Sequence, residues 1–430
     1  MKAFTIRRWF AARAWVFAIL VFVLMPAAKA AQGGQPSVKH PNLLLNQEEI
    51  EQVKHKIRTQ QWAKDLFERV KGMADDMVAK GTRSERESAI CYQLTGDKRY
   101  ADAVRRFLLD QARYFQVSLE KVDLKVNPEW SAWNPRSVFA WAYDLTYDTF
   151  SAEERERVES WLREESRIVI QGEKAWTTTP NLVFEKHYSV ALVGYCLGNK
   201  ELIEWGMNDP GTHGPQRGGF YQVMDTMIED RHFWAEAPIY ALHYDVHGMI
   251  ALAEAALHYD GADLYNYVSQ KSGASLKSII DGYVLLGYPR ERTGIGGGSI
   301  RMATFADGST NYGPRGDLYE TFLVNPVGTE RSPSFSGELE IAYARYKDPG
   351  YAWLLSLNPK RDANIGYGRA VWGFVGLTHG ETLPEKPMPP PAPGGVYQGL
   401  GFALLRADES PDYWTSGGLT ALVMLGKWLG

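Results

Sequence analysis

Cysteine is scarce in this chain, and neither sign of charge is in large excess. Among 430 residues the cysteines are Cys91 and Cys196, both in apolar helical contexts, so we expect packed thiols rather than a disulfide. The net charge of -4 leaves no basic surplus, so nucleic acid is not an expected partner. The glycine-dense stretch around Gly294 lacks a strand–turn–helix pattern, which argues against nucleotide binding.

Long apolar runs are also lacking. The run from Ala14 to Pro26 is too short for a confident membrane span, but a basic segment precedes it and a small-x-small site at 28–30 follows it. We therefore expect residues 1–30 to be a secretory signal, with the mature chain starting near Ala31. The protein would be periplasmic or secreted, without stable membrane insertion after cleavage; an uncleaved anchor is the alternative.

Helical periodicity dominates after His40. Capping-box-like starts occur at Asn46 with Glu49 and at Ser151 with Glu154. Helix–turn–helix corners with a glycine suited to a left-handed cap recur at irregular spacing around Gly96, Gly198, Gly261 and Gly350. The irregular spacing excludes a fixed-repeat solenoid. It favours a mainly α fold, an incomplete α/α toroid over residues 40–380.

The composition changes near the end of the chain. Residues 384–394 are proline-rich, which predicts a stiff extended connector. Residues 395–430 then follow a strand-like pattern, in two stretches that we expect to be the first strands of an incomplete antiparallel β-sandwich domain. Two such strands are not a stable unit alone. They should dock on the helical domain, or the chain should be the front part of something longer.

The stretch TTTPNLVFEKHYSVALVGYC predicts a helix rich in polar groups at its start. Thr179 is a candidate N-cap and Pro180 the first helical residue. Asn181 and Glu185 share a face, whereas His187 lies on an apolar face, which favours a core or supporting role over direct substrate contact.

A second helix is predicted from Pro238. Its exposed face would carry Tyr240, His243, Tyr244 and His247 at helical spacing, with Trp234 and Glu236 immediately before it. Aromatic and imidazole groups in one stripe suit a sugar-binding cleft; a partly buried polar helix is the plainer interpretation.

The segment NPEWSAWNPR fits no regular element. Its residues Trp130, Trp133 and Arg136 are candidates for a sugar-binding loop, and a surface loop pinned by tryptophan packing is equally consistent with the pattern. Arg217 and Arg301 are further cations that could help bind an acidic sugar.

Several segments taken in order carry a resemblance to one superfamily. These are HPNLLLNQEEIEQVKHKI, AYDLTYDTFSAEERERVESWL, PNLVFEKHYSVALVGYCLGN, AEAPIY, IALAEAALHYDGADLY, LEIAYARYKDPGYAWLL and GLGFALLR. In this order they resemble the heparinase II/III-type polysaccharide lyases, which include the oligo-alginate lyases. The resemblance implies an α/α toroid followed by antiparallel β-sheets, and cleavage of a uronic-acid polysaccharide, alginate- or heparin-like, by β-elimination.

The resemblance extends to two single residues: Asn181 matches the family's asparagine at the start of its central helix, and Tyr240 matches its tyrosine. The chemistry of elimination then suggests that Asn181 neutralises the uronate carboxylate and that Tyr240 acts as base and acid, with His243, one turn further on, assisting. Placed around the predicted helix starts, the candidate substrate contacts are Glu185, His187, Trp234, Glu236, Tyr244 and His247. Two departures stand out: Ala241 occupies a position where many members have histidine, and the chain ends at Gly430, where a histidine-bearing segment is expected.

Other functions stay open from the residues alone. Glu185 and Glu236 could form the carboxylate pair of a glycoside hydrolase. A carbohydrate-binding fragment without activity is a non-enzyme alternative. His243 and His247 have metal-ligand spacing but lack a zincin glutamate, so no cofactor is expected, apart from a structural metal in a β domain beyond this chain. The residues do not indicate an oligomeric state.

Overall fold

The computed structural model describes residues 38–119, 136–172, 180–208, 218–236, 238–241, 245–289, 300–303, 322–324, 335–358, 361, 374–416 and 418–424. Within these ranges the side chains of 117–119, 136–138, 172, 180, 182, 239 and 416 are not described. The predicted signal at 1–30 therefore lies outside the described residues.

Helices make up most of the described chain, which confirms the predicted fold class. They are α1 (Gln47–Thr59), α2 (Gln61–Lys80), α3 (Glu85–Thr95), α4 (Lys98–Leu119), α5 (Arg136–Thr146), α6 (Ala152–Gly172), α7 (Pro180–Leu197), α8 (Lys200–Asn208), α9 (Phe220–Thr226), α10 (Pro238–Tyr240), α11 (Val246–Tyr259), α12 (Leu276–Leu285), α13 (Ser336–Tyr346), α14 (Pro349–Ser356), α15 (Val375–Thr378) and α16 (Tyr413–Ser416), with a 3₁₀ turn at Tyr147–Thr149. The strands are short: β1 (Ile228–Glu229), β2 (Phe233–Trp234), β3 (Ile300–Arg301), β4 (Phe322–Val324), β5 (Gly395–Tyr397), β6 (Phe402–Arg406) and β7 (Thr420–Met424).

Helix starts follow the predicted capping chemistry. The Asn46 side chain accepts from the Glu49 backbone N–H at 3.0 Å, and the Glu49 carboxylate accepts from the Asn46 N–H at 3.0 Å. Ser151 and Glu154 exchange the same pair of bonds at the start of α6, at 2.9 and 3.3 Å. Both capping boxes are thereby confirmed, because each satisfies backbone donors that a helix start leaves unpaired.

The predicted glycine corners are right at three positions and wrong at the fourth. Gly96, Gly198 and Gly261 have φ values of 72°, 63° and 80°. Gly350 instead lies in the first turn of α14, which Pro349 opens directly after the Asp348 cap. The left-handed position at that corner falls on Lys347, with φ 52°.

The helices pack in a ring. Helix α3 packs on α5, α5 on α7, α7 on α11, α11 on α13, and α13 on α15. Helix α15 contacts α1 and α2, and both of these contact α3. A second set packs on members of this series: α4 on α3 and α5, α6 on α7, α8 on α7, α12 on α11 and α13, and α14 on α13. This is the order of contacts that an α/α toroid requires.

Helices α7 and α11 approach closely because Gly248 has no side chain. A Cβ at this position would lie 2.3 Å from Cδ1 of Tyr188 on α7. The face of Tyr188 therefore rests on the backbone of α11, which fixes the spacing between the helices that carry the predicted site.

The C-terminal strands form a three-stranded antiparallel sheet, not the two strands predicted. The stretch VYQGLGFALLRA folds into a hairpin of β5 and β6, with φ 70° at Gly401, and β6 pairs with β7. The sheet docks on the helical part, since the ring of Phe233 packs against Tyr397 and Phe402 at centroid distances of 5.0 and 5.2 Å. The Gly399 N–H also donates to Asp230 at 2.9 Å.

The proline-rich residues 384–394 have no helix or strand, and they are held to their surroundings. The indole N–H of Trp414 donates to the Pro390 carbonyl at 2.7 Å, and Ala392 is buried. This segment therefore packs as part of the fold and is not a free connector between separate bodies.

Both cysteines are buried free thiols, as predicted. Among the described helices, none combines the length and the apolar character needed to cross a bilayer.

Candidate functional site

The start of helix α7 is held by Glu236. The Asn181 backbone N–H donates to Oε2 of Glu236 at 2.9 Å, and the Trp234 indole N–H donates to the same oxygen at 2.7 Å. A carboxylate at a helix N-terminus is favoured by the unpaired N–H groups and by the helix dipole. Glu236 thus ties the first turn of α7, where Asn181 lies, to the hairpin of β1 and β2.

Tyr240 lies on the chain segment that leaves Glu236. It ends the short helix α10, is partly buried, and packs against the core. Four residues of chain keep its Cα within about 14 Å of that of Glu236. The backbones of Asn181 and Tyr240 are therefore both tied to Glu236, that of Asn181 by a hydrogen bond and that of Tyr240 by the chain. Their meeting in a common cleft stays a prediction.

Trp234 supports this arrangement from inside the protein. Its ring is 1% exposed and packs at 6.0 Å, centroid to centroid, from Phe184 on α7. Its backbone N–H donates to the hydroxyl oxygen of Tyr283 at 3.2 Å. The indole therefore positions Glu236, and it presents almost no surface to a ligand.

His187 is fully buried between helices. Its ring stacks on Trp205 of α8 with a centroid distance of 3.9 Å and an interplanar angle of 2°. Nδ1 lies 3.2 Å from the Trp205 carbonyl oxygen. In this structure His187 joins α7 to α8, which agrees with the apolar face predicted for it and leaves it no surface for substrate.

His247 is buried on the other side of α7. Its Nδ1 lies 3.7 Å from the Glu338 carboxylate of α13, and its ring meets Tyr188 edge-on at 6.3 Å. Burial lowers the pKa of His247, although hydrogen bonding to Glu338 opposes that shift. His247 accordingly packs inside the ring of helices.

The predicted helix start at Pro238 is confirmed, since α10 begins there. Ala241 after α10 and Asp245 before α11 have π-helical geometry. Hydrogen bonding from residue i to i+5 interrupts the 3.6-residue repeat, so Tyr240 and His247 do not follow one α-helical stripe. His243 and Tyr244 lie outside the described residues.

The remaining predicted contacts are only partly described. Trp130, Trp133 and Arg217 lie outside the described residues. Arg136 is the first residue of α5, but its side chain is not described. Glu185 is buried on α7, and Arg301 is partly buried in β3.

Sequence reasoning missed Asp245, which immediately precedes α11. Its side chain is completely buried, and neither carboxylate oxygen has a hydrogen-bond partner among the described residues. Burial raises the pKa of Asp245 well above its ordinary value, and the nearby carboxylates of Glu236 and Glu185 raise it further. The available signal was a lone acid inside the aromatic and apolar run PIYALHYDVHGMIAL.

Two groups elsewhere have the residue types of a metal site. They are His40 with Asp144 and Cys196, and Glu49 with Glu254 and His258. In the first, Asp144 already accepts from His40 and from the N–H groups of Asn42 and Leu43. In the second, Glu254 is already paired with a guanidinium, that of Arg345. The protein's own groups satisfy the carboxylates that a metal would need.

The comparisons with known proteins establish the family of this chain. The alginate lyase family model matches residues 46–285, more than half of the chain. The chain belongs to the alginate lyase family. This confirms the resemblance to the superfamily that includes the oligo-alginate lyases.

Two relatives show how much of the chain is shared. An exo-oligoalginate lyase of Saccharophagus degradans is 22% identical over 250 residues, covering 51% of this chain and 33% of that protein. An alginate lyase of Stenotrophomonas maltophilia is 26% identical over 163 residues, covering 35% of this chain and 21% of that protein. The chain thus spans a third or less of the length of these relatives.

Solved structures of alginate lyase A1-III are also similar. The structure from Sphingomonas species A1 has a TM-score of 0.35 at 22% identity, over 46% of this chain and 54% of that chain. A variant of A1-III complexed with a tetrasaccharide has a TM-score of 0.34 at 22% identity, over 46% and 55% of the two chains.

Proposed function

We propose that this chain is a polysaccharide lyase that cleaves an alginate-like uronate polymer by β-elimination. Membership of the alginate lyase family is the observation that carries this proposal. The names of the two relatives, an exo-oligoalginate lyase and an alginate lyase, support the substrate class.

The reaction makes three demands on the site. A base removes the C5 proton of a uronic acid, the C4–O4 bond breaks as a C4=C5 double bond forms, and an acid returns a proton to O4. Removing the C5 proton spreads negative charge into the adjacent carboxylate, so a hydrogen-bond donor at that carboxylate lowers the barrier.

Asn181 is proposed as that donor. It lies in the first turn of α7, where the helix dipole favours negative charge, and Glu236 fixes the backbone on which it stands. A donor held in place before the reaction needs no reorganisation when charge develops.

Tyr240 is proposed as base and acid. A tyrosine phenol has an ordinary pKa of about 10, and nearby donors that stabilise the phenolate allow one residue to take the C5 proton and return it to O4. His243 is proposed to assist it. The chemistry needs no cofactor, so turnover should survive dialysis against a chelator.

Membership of the alginate lyase family favours the lyase over the hydrolase alternative. Glu236 would be one of the two carboxylates of a hydrolase. Its Oε2 accepts from a helix N–H and an indole N–H, which supports a role in holding the start of α7.

Incubation with alginate tests the function directly. A lyase generates an unsaturated product that absorbs in the near ultraviolet, whereas a hydrolase generates reducing ends without that absorbance. A carbohydrate-binding fragment would retard the polymer in a gel and give neither signal.

Tyr240→Phe tests the assigned chemistry. Loss of the hydroxyl should lower kcat by about 10²–10⁴-fold, the usual contribution of a general acid–base group, with little change in binding. Tyr221→Phe, which changes another partly buried tyrosine on α9, is the matched control and should keep its activity. Full turnover by Tyr240→Phe would exclude Tyr240 as base or acid.

We also propose that the chain is exported, since a basic, apolar and small-residue pattern occupies residues 1–30. Sequencing the N-terminus of the protein recovered outside the cytoplasm should give a start near Ala31. A recovered chain that still begins at Met1 would contradict this.

A further inference from the structure

The carboxyl group of Asp245 is isolated in a way that ordinary helix-start acids are not. Asp245 precedes the first residue of α11, but its φ and ψ of -95° and -62° are helical, and its side chain makes no capping bond. An acid that caps a helix normally has extended backbone and accepts from the second or third N–H. Asp245 is therefore buried without the usual compensation.

The groups that act on Asp245 from neighbouring elements are acidic. Glu185 projects from α7, Glu236 follows β2, and the buried hydroxyl of Tyr283 lies on α12. On its own helix, His247 lies against Glu338 of α13. A carboxylate that is fully buried, has no hydrogen-bond donor among the described residues and lies near two other carboxylates is much less stable than its protonated form.

The location of this acid connects it to the proposed site. Glu236 is the residue that holds the start of α7 at Asn181. Asp245 comes five residues after Tyr240, and it carries the π-helical geometry that separates α10 from α11. Such π-helical interruptions frequently occur at functional sites.

We infer that Asp245 is a positioning residue that must stay protonated for the elimination to proceed. This inference rests on the proposed function. An ionised Asp245 would add a negative charge beside Glu236, near the place where a uronate carboxylate must bind and where Tyr240 must form a phenolate. Both events create or bring in negative charge, so both are opposed by ionisation of Asp245. The acid therefore sets an upper pH limit on activity.

The substitution Asp245→Asn separates the two protonation states. Asparagine has nearly the shape of the protonated acid but cannot ionise. We expect the ratio of kcat/KM for the variant to that of the wild type to rise with pH, because only the wild type loses activity as Asp245 ionises. Asp260→Asn, which changes an exposed acid at the other end of α11, is the matched control and should give a flat ratio.

The pH dependence of thermal unfolding reports the protonation state of Asp245 in the folded protein without any substrate. In the unfolded chain an aspartate has a pKa of about 3.9, so above that pH the folded wild type holds a proton that the unfolded chain has released. Stability of the wild type then falls with rising pH relative to the variant. The difference in Tm between Asp245→Asn and the wild type should grow as pH rises.

The outcomes are distinct. A kcat/KM ratio that rises with pH, together with a Tm difference that grows with pH, supports the inference. A flat activity ratio overturns the positioning role, and a Tm difference that is constant or shrinks with pH shows that Asp245 is ionised and also overturns it. No unsaturated product from the wild type overturns the proposed function, and the positioning role with it, while the Tm series still decides whether Asp245 carries its proton.

Discussion

Helix α11 buries one acid just before its first residue and another in its last turns, and the protein treats the two in opposite ways. Asp245 has no hydrogen-bond partner among the described residues. Glu254 accepts from Arg345 Nε at 3.0 Å and from the Tyr265 hydroxyl at 2.5 Å. Burial raises the pKa of each, but for Glu254 hydrogen bonding with His379 and the charge of Arg345 outweigh burial and hold the pKa well below its ordinary value.

The difference separates a structural carboxylate from one available for function. Glu254 on α11 meets Arg345 on α13 and His379 just after α15, three elements that lie together where the ring returns to its first helices. A buried acid with all its donors specifies packing. A buried acid without them lowers stability, and such groups concentrate at functional sites.

The largest expected effect on stability comes from removing the charge of Glu254, in the last turns of α11. Glu254→Gln leaves Arg345 partly buried without its carboxylate, so we expect the free energy of unfolding to fall by about 3–5 kcal/mol. Chemical denaturation at neutral pH measures this. Replacing both residues, Glu254→Leu with Arg345→Leu, should cost less than Glu254→Gln, because it removes the guanidinium together with the carboxylate, while Glu49 keeps its contact with His258 at 2.9 Å. A double variant that is much less stable than Glu254→Gln would contradict this explanation.

The two acids also predict opposite pH slopes. The pKa of Glu254 is depressed in the folded protein, so its contribution is present above the unfolded value and is lost as pH falls. Glu254→Gln should therefore flatten the loss of stability on acidification, whereas Asp245→Asn flattens the loss on alkalinisation. If both variants changed the stability on the same side of the pH–stability curve, acid or alkaline, the two acids would not differ as described here.

A smaller effect tests whether the functional end of α11 is loosely packed. Gly248 lies three residues after Asp245, and a Cβ there would meet the Tyr188 ring at 2.3 Å. We expect Gly248→Ala to destabilise the protein by about 1–3 kcal/mol, the usual cost of overpacking. Denaturation midpoints measure it. An unchanged midpoint would mean that α7 and α11 can separate, and that Asp245 is not held in a dry interior.

The smallest expected effect is that of Gly72→Ala, which serves as a reference for Gly248→Ala. Gly72 lies in the middle of α2, and of the described residues none comes within 4 Å of a Cβ placed there. Gly72→Ala should raise stability by about 0.5–1 kcal/mol, because alanine loses less backbone entropy in a helix. The same denaturation experiment checks it. Opposite signs for the two glycine substitutions would show that the Gly248 effect comes from contact with Tyr188.

Local sequence signals predicted the parts of the fold that local chemistry decides. Asn46 with Glu49 forms its capping box, and Pro180 opens α7, because each depends on neighbours within four residues. The corner at Gly350 failed because Pro349 started the next helix early and moved the left-handed position to Lys347.

The site was less predictable because its decisive contacts are distant along the chain. Asn181 and Glu236 are 55 residues apart, and Glu254 and Arg345 are 91 apart. No periodicity reports such pairs. The π-helical geometry at Ala241 and Asp245 also removed the regular repeat on which the aromatic stripe was predicted. Burial of an acid without donors is a property of the assembled structure.

The shared oxygen of Glu236 has a consequence for protein engineering. Because it accepts from both a helix start and an indole, the β1–β2 hairpin and helix α7 behave as one mechanical part. A chimaera that exchanged residues 228–240 with a homologue while keeping the native α7 would mismatch the two halves of that joint. Segments 180–197 and 228–240 should be transplanted together.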